Sequence, residues 1–272
     1  MVRSLWTAAS GMIAQQNNVD TISNNLANVN TTGYKTEVAE FKSLLYQDLQ
    51  SKTTSANGDQ KPIGAQVGLG VRNSSITSIF SQGNFYETTN DLGFAIGGDG
   101  FFGVKGQDGN TYYTRNGNFC LAKYGTNQLA LTTSDGEPVL DTKGKEIIFN
   151  GDILSSKVTV TRDGEVCYPD AANNPRSMGI RIGLWQFNNP SGLEKVGDSQ
   201  YAVSEASGAA LNEDTTRGLT KSDLRQGYLE GSNVQVVDEM VNLIVAQRAY
   251  ELNSKAIQAS DEMMQQANQL RR

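Results

Sequence analysis

Gly98, Gly100 and Gly103, in the run GDGFFG, stand at the first, third and sixth places of a dinucleotide-binding turn, a spacing that lets backbone approach a pyrophosphate. That chemistry needs a helix directly after the turn, its N-terminus facing the phosphates. The next residues are instead VKGQDGNTYYTRNG, further glycines among strand formers, so the three are read as bulge or hairpin glycines and no cofactor is expected. Asp223 with Glu230, or Asp238 with Glu239, could serve as the acid and base of glycoside hydrolysis. In a chain with 29 acidic residues such spacing is a weak signal, and solvated surface charge is the plainer reading, for Lys221 and Arg225 as well. The chain contains no histidine, which removes imidazole triads, His-ligated metals and the usual pH switch together. Cys120 and Cys167 are too few for a disulfide scaffold or a thiolate metal cluster. They fall in separate turn-delimited regions and are read as thiols with no obligatory bridge. Trp6 and Trp185 are read as packing anchors before ligand platforms. Neither catalysis nor a metal is expected.

Elements that would carry any other function are marked by pattern. With 38% hydrophobic and 19% charged residues and a net charge of −6, the chain has a core to bury and no basic surface that calls for nucleic acid. No run of about 18 apolar residues is present, so no transmembrane segment is expected. The opening MVRSLWTAASGMIA superficially resembles a signal peptide, but Thr7, Ser10 and Gly11 interrupt it and no small-residue cleavage site comes after it, so it is expected to stay in the mature protein.

Counted in sevens, Leu5, Met12, Val19 and Leu26 share one register, and Ala8, Gln15, Ile22 and Val29 the register three residues on. This is the a/d seam of a helix from about Ser4 to Val29, weakened by Gly11 and the polar block Gln15 to Asn18. The other end of the chain, Val234 to Leu270, holds neither Gly nor Pro and carries Val236, Leu243, Tyr250, Ile257 and Met264 at intervals of seven. Asp261 and Glu262 fall near its carboxyl end, where the helix dipole disfavours acids, so fraying or a partner is expected there. The two helices could pack on each other as a stem. Alternatively, because the second stripe is wider than a seam, neighbouring copies could cover it.

Residues 36–50 suggest a further helix through Val38, Phe41, Leu45 and Leu49, and residues 51–70 have loop composition. From Val71 to Gly227, short β-favouring runs alternate with Asp-Gly and Asn-Gly pairs, the signature of hairpins. Phe80, Phe94, Phe102, Tyr113, Trp185 and Phe187 would supply an aromatic core able to fold alone. The expected fold class is α+β: helix in residues 1–35, a linker or contact stretch in 36–70, an irregular β domain in 71–227 and the second helix in 228–272.

SNNLANVNTTGYK, residues 23–35, crowds Asn24, Asn25, Asn28 and Asn30 into the end of the first helix, although asparagine costs roughly 0.6 kcal/mol against alanine in a helix interior. Gly33 suits a left-handed cap. The amides either cap a fraying end locally or meet something else.

SLWTAASGMIAQQNNVDTISNNLANVNTTGYK, residues 4–35, resembles the N-terminal signature of bacterial flagellar rod and hook axial proteins, and LEGSNVQVVDEMVNLIVAQRAYELNSKAIQASDEMMQQANQL, residues 229–270, resembles their C-terminal segment. SQGNFYETTNDLGFAIGGDGFFGV and YTRNGNF resemble the central domain, so the likeness covers nearly the whole chain. The resemblance implies a structural subunit whose terminal helices form an inner coiled-coil layer (D0) and whose β domain (D1) lies outside it, stacked as a hollow drive shaft; the alternatives are a related proximal-rod or hook-like axial protein and, from another class, an envelope enzyme acting on peptidoglycan. The expected partners are copies of itself, other flagellar rod and hook proteins, the flagellar type III export apparatus, and ring or bushing proteins. It implies an extracytoplasmic place in the basal body, reached without a cleaved signal peptide. Asn24, Asn25 and Asn28 would then meet neighbouring subunits, together with the heptad residues of both helices. Residues 51–70 would stiffen contacts along the axis.

Overall fold

A computed structural model of the chain describes residues 2–50, 65–125, 128–151, 153–170 and 174–270. The architecture is α+β in two compact units. A helical unit comprises Met1–Ala27, Glu37–Thr77 and Gln235–Arg272; a β unit comprises Asn28–Thr36 and Ser78–Val234. The β unit thus begins at Ser78, later than Val71, and takes in a short strap from near the N-terminus.

In the helical unit, α1 spans Val2–Ala27 and α2 spans Val236–Gln269. Asp238 and Glu239 occupy the first turn of α2, where the macrodipole favours them. Fraying at Asp261 and Glu262 is not observed, since the helix continues past both. The helices run antiparallel. Ser4 Oγ lies 3.3 Å from Ser260 Oγ, and Asn25 Nδ2 donates to Glu239 Oε2 at 3.4 Å. Between these, a Cβ on Gly11 would stand 2.9 Å from Asn253 Nδ2, so this glycine, read as a weak point, leaves room for the Asn253 side chain against α1. Every step of seven or fourteen along one helix is matched by the same step back along the other. The closest column is therefore heptad-spaced, yet it is built from small and polar residues.

Residues 36–50 are not helical. They form strands β1 (Glu37–Ser43) and β2 (Tyr46–Gln50), which pair with β4 (Val71–Ser78) and β3 (Ala65–Gly68) respectively. Backbone bonds from Leu44 N–H to Gly70 O and from Leu69 N–H to Leu45 O carry the ladder from one pair to the other. The helical stripe does not form a buried face: among the described residues Leu45 is 83% exposed and Leu49 54%. Tertiary pairing has overridden a local helical pattern. Of the proposed axial contact stretch, residues 51–64 lie outside the described residues.

The β unit is organised around a six-stranded antiparallel sheet in the order Glu194–Gly197, Gln200–Ala202, Thr111–Thr114, Phe101–Lys105, Leu184–Gln186, Leu211–Asn212. Smaller sheets of two and three strands flank it. Asp108-Gly109, Asp135-Gly136 and Asp163-Gly164 turn hairpins with glycine at positive φ, whereas Gly117 is required for another reason: a Cβ there would sit 1.8 Å from Phe94 O. Gly98, Gly100 and Gly103 lead into a strand rather than a helix, and a Cβ on Gly103 would overlap the Trp185 ring at 2.4 Å. That run is a packing device. Phe101, Tyr113, Trp185, Phe187 and Tyr201 form one core of edge-to-face rings, with Phe80 against it. Phe94, Phe102 and Phe119 anchor a second.

Cys120 is exposed and Cys167 half-buried, and both are free thiols. Alkylation of the denatured chain without reductant is expected to modify both; modification that requires prior reduction would contradict this.

Candidate subunit interface

The heptad residues of the sequence divide into three groups. Leu5, Met12, Val19 and Leu26 are half-buried on α1, and Leu243, Ile257 and Met264 are half-buried on α2. Ile22 is buried within its own chain. Val236 and Tyr250 are exposed, and Val29 falls beyond the helix end, half-buried. The most exposed apolar surface of α2 lies beside the heptad column, on Val237 and Ile244, which widen its stripe in the sequence, and on Val241, Val245 and Leu252; Val237 is 74% exposed. On α1, Trp6 stands 72% exposed in the single chain, contrary to its reading as an anchor, while the buried Trp185 fits that reading. Between the helices Gln16, Val19, Gln247, Tyr250 and Glu251 line an open groove.

The asparagines divide likewise. Asn25 is buried, and its amide closes a two-point bond on the backbone of Glu37: Nδ2 donates to Glu37 O at 2.8 Å, and Glu37 N–H donates to Oδ1 at 2.9 Å. It fixes the first residue of β1 to the last turn of α1, an intramolecular use that the spacing of the amides does not suggest. Asn28 lies past the helix end in the β unit, where Thr31 Oγ1 donates to its Oδ1 at 3.0 Å. Asn24 is exposed. Asn25→Ala would remove both side-chain bonds to the Glu37 backbone, costing about 1–3 kcal/mol. The expected readout is loss of hydrogen-exchange protection at the Glu37 amide and earlier melting of the helices by circular dichroism.

The two signature segments meet in the β unit through buried charge. Lys35 Nζ lies 2.6 Å from Glu230 Oε1 and Arg115 Nη1 3.3 Å from Glu230 Oε2, with all three side chains sealed from solvent. Glu230 Oε1 also accepts from Gly83 N–H at 2.9 Å, Lys35 Nζ donates to Ser81 O at 2.7 Å, and the Arg115 guanidinium lies 5.0 Å over the Phe101 ring. Arg115 Nε is buried without a partner. Burial holds the Lys35 ammonium below the usual lysine range; Glu230 opposes that depression and Arg115 adds to it. Glu230 is therefore not a solvated surface acid. Its other supposed partner, Asp223, is exposed. A cysteine count or an acid pair could not reveal this cluster. The available signal was a Lys closing one signature segment and a Glu opening the other.

Three family models match the chain: flagella basal body rod protein over residues 5–35, flagellar hook protein FlgE/F/G D1 domain over 95–168, and flagellar basal body rod FlgEFG protein C-terminal over 225–270. The flagellar basal-body rod protein FlgG of Borreliella burgdorferi is 44% identical over 278 residues, covering 100% of both chains. The chain belongs to the flagellar basal-body rod protein FlgG family. FlgG of Bacillus subtilis is 38% identical, again over 100% of both chains, whereas the flagellar hook-basal body complex protein FlhP of that organism is 32% identical. Among solved structures, Helicobacter pylori flagellar hook protein FlgE2 aligns over 71% of this chain and 56% of that one at 14% identity and a TM-score of 0.23, too slight a likeness to bear on the fold. Membership makes this chain a structural subunit of the flagellar distal rod and not an enzyme. Lys35 is the last residue of the N-terminal family block and Glu230 lies within the C-terminal one, so the buried pair joins the two.

Proposed function

We propose that this FlgG-family chain polymerises with copies of itself into the hollow helical shaft of the distal rod and carries motor torque towards the hook. The exposed apolar face of α2 supports this reading. Val237, Val241, Ile244, Val245 and Leu252 present to solvent a stripe that a monomeric protein would bury. Covering it with the helices of neighbouring copies gives the inner coiled-coil tube that the resemblance implies, and the groove at Val19 and Tyr250 offers a seat for a neighbour's side chains. In this reading Leu5, Met12, Val19, Leu26, Val236, Leu243, Tyr250, Ile257 and Met264 complete the interface, with Asn24 and Asn28 at its foot. Asn25 and Ile22 support it from inside the subunit. Other rod and hook proteins meet the ends of the shaft, ring proteins surround it, and the type III export apparatus delivers the chain beyond the cytoplasm with its N-terminus uncleaved. No helix of the described residues is long and apolar enough to cross a membrane.

Electron cryomicroscopy of purified basal bodies tests the proposal. Density for this chain is expected in a helical array in the distal rod, with the α2 face covered by adjacent copies. Finding it in the proximal rod or hook, or with that face bare, would overturn it.

A further inference from the structure

The strap Asn28–Thr36 lies between two segments of the β unit that read it residue by residue. From one side, Gly33 N–H donates to Glu230 O at 2.8 Å, Asn233 N–H donates to Tyr34 O at 3.4 Å, and Asn233 Oδ1 accepts from both Thr36 N and Thr36 Oγ1 at 2.7 Å. From the other, Ile79 N–H donates to Thr36 O at 2.9 Å and Ser81 O accepts from Lys35 Nζ. Asn233 Nδ2 ties the two walls together by donating to Ile79 O at 2.9 Å and Ser81 Oγ at 2.8 Å. Gly33 has φ +70, and a Cβ there would stand 2.8 Å from the Arg115 carbonyl carbon, so only glycine passes this point. Backbone bonds along an extended segment, with one side chain dropped into a closed pocket, are the features by which proteins bind peptides in extended form.

We propose that segments 79–83 and 230–233 form a peptide-binding site whose ligand class is an extended Gly-X-Lys-Thr segment, filled by the chain's own strap, and that Lys35 fixes the register of that strap without adding to the stability of the unit. The reasoning lies in the charge count of the pocket. Arg115 and Glu230 already form a neutral pair, and Lys35 brings a second buried cation beside an Arg115 Nε that has no partner among the described residues. A desolvated ammonium in such company gains little net free energy. What it adds is geometric. The backbone bonds by themselves are repetitive; Gly33 at its close point and Lys35 in the charged pocket together select the register, and only one register delivers the ammonium to both Glu230 Oε1 and Ser81 O. A slip by one residue would present Tyr34 or Thr36 to a sealed, charged pocket.

The full-length chain tests this through Lys35→Met, read by hydrogen exchange of the strap amides and by urea unfolding of the β unit followed at Trp185. The expected result is at least tenfold faster exchange at Gly33 and Thr36 with an unfolding midpoint close to that of the parent. A double variant that moves the lysine one place, Lys35→Thr with Thr36→Lys, should show the same loss of protection. Unchanged exchange in Lys35→Met would overturn the register role, and so would a fall in exchange protection matched by an equal fall in global stability. Because Lys35→Met leaves the Arg115–Glu230 pair intact, the variant is expected to fold; failure to fold would equally overturn the proposal.

Discussion

Glu230→Gln lowers the unfolding free energy of the β unit by about 3–5 kcal/mol, while Lys35→Met changes it by less than about 1 kcal/mol. The asymmetry comes from what each substitution leaves behind. Glutamine at 230 removes the one anion that both Lys35 and Arg115 contact and leaves two cations facing each other in a pocket closed to water. Methionine at 35 leaves a neutral Arg115–Glu230 pair with the Gly83 N–H bond still in place, and forfeits the ammonium's bonds to Glu230 Oε1 and Ser81 O together with its desolvation cost. Urea unfolding followed by Trp185 fluorescence, in a Trp6→Phe background to silence the exposed indole, separates the two. Equal losses for the two variants, or a larger loss for Lys35→Met, would show that the lysine and not the glutamate is the cluster's centre.

Ile244→Asp abolishes assembly and leaves the free subunit intact. Ile244 is 56% exposed in the single chain, so a carboxylate there meets water and costs the subunit little. Covered by neighbours, the same charge is desolvated at every repeat without a counter-ion, a penalty of several kcal/mol per interface. The measurements are motility, rod formation by electron microscopy, and a circular-dichroism melt of the purified subunit. Leu243→Asp is a poorer test, since Leu243 is half-buried in its own chain and its substitution would disturb both states. Rods that form normally with Ile244→Asp would remove the α2 face from the interface.

Much of the fold was legible from residue spacing and residue type. Both long helices were marked by apolar periodicity and the absence of breakers, and three of the Asp-Gly pairs by their turn chemistry. Sequence spacing misled where tertiary contacts decide the outcome. Residues 36–50 carry a helical stripe, yet their backbone is claimed by residues 65–78 and by Asn25, a partner that no local pattern reveals. Counting in sevens found the single column through Leu243 and Tyr250. The column nearest α1, however, contains Glu239 and Asn253, whose polarity hid it from a hydrophobic search. The expected self-folding fragment 71–227 omits both Lys35 and Glu230. Such a fragment would carry Arg115 without the counter-charge that Glu230 supplies in the full chain, a contact that composition does not show.

The pair that closes the β unit joins residues 195 positions apart. Loop closure over such a distance comes late in folding, after shorter hairpins have formed, and slows the approach to the native state. A chain delivered from its N-terminus presents Lys35 early and Arg115 midway, but each stays hydrated until Glu230 arrives, because burying either alone is unfavourable. The last step of folding thus waits on nearly the whole polypeptide. A subunit still threading through a narrow passage would remain pliable for most of its length and would set only on release.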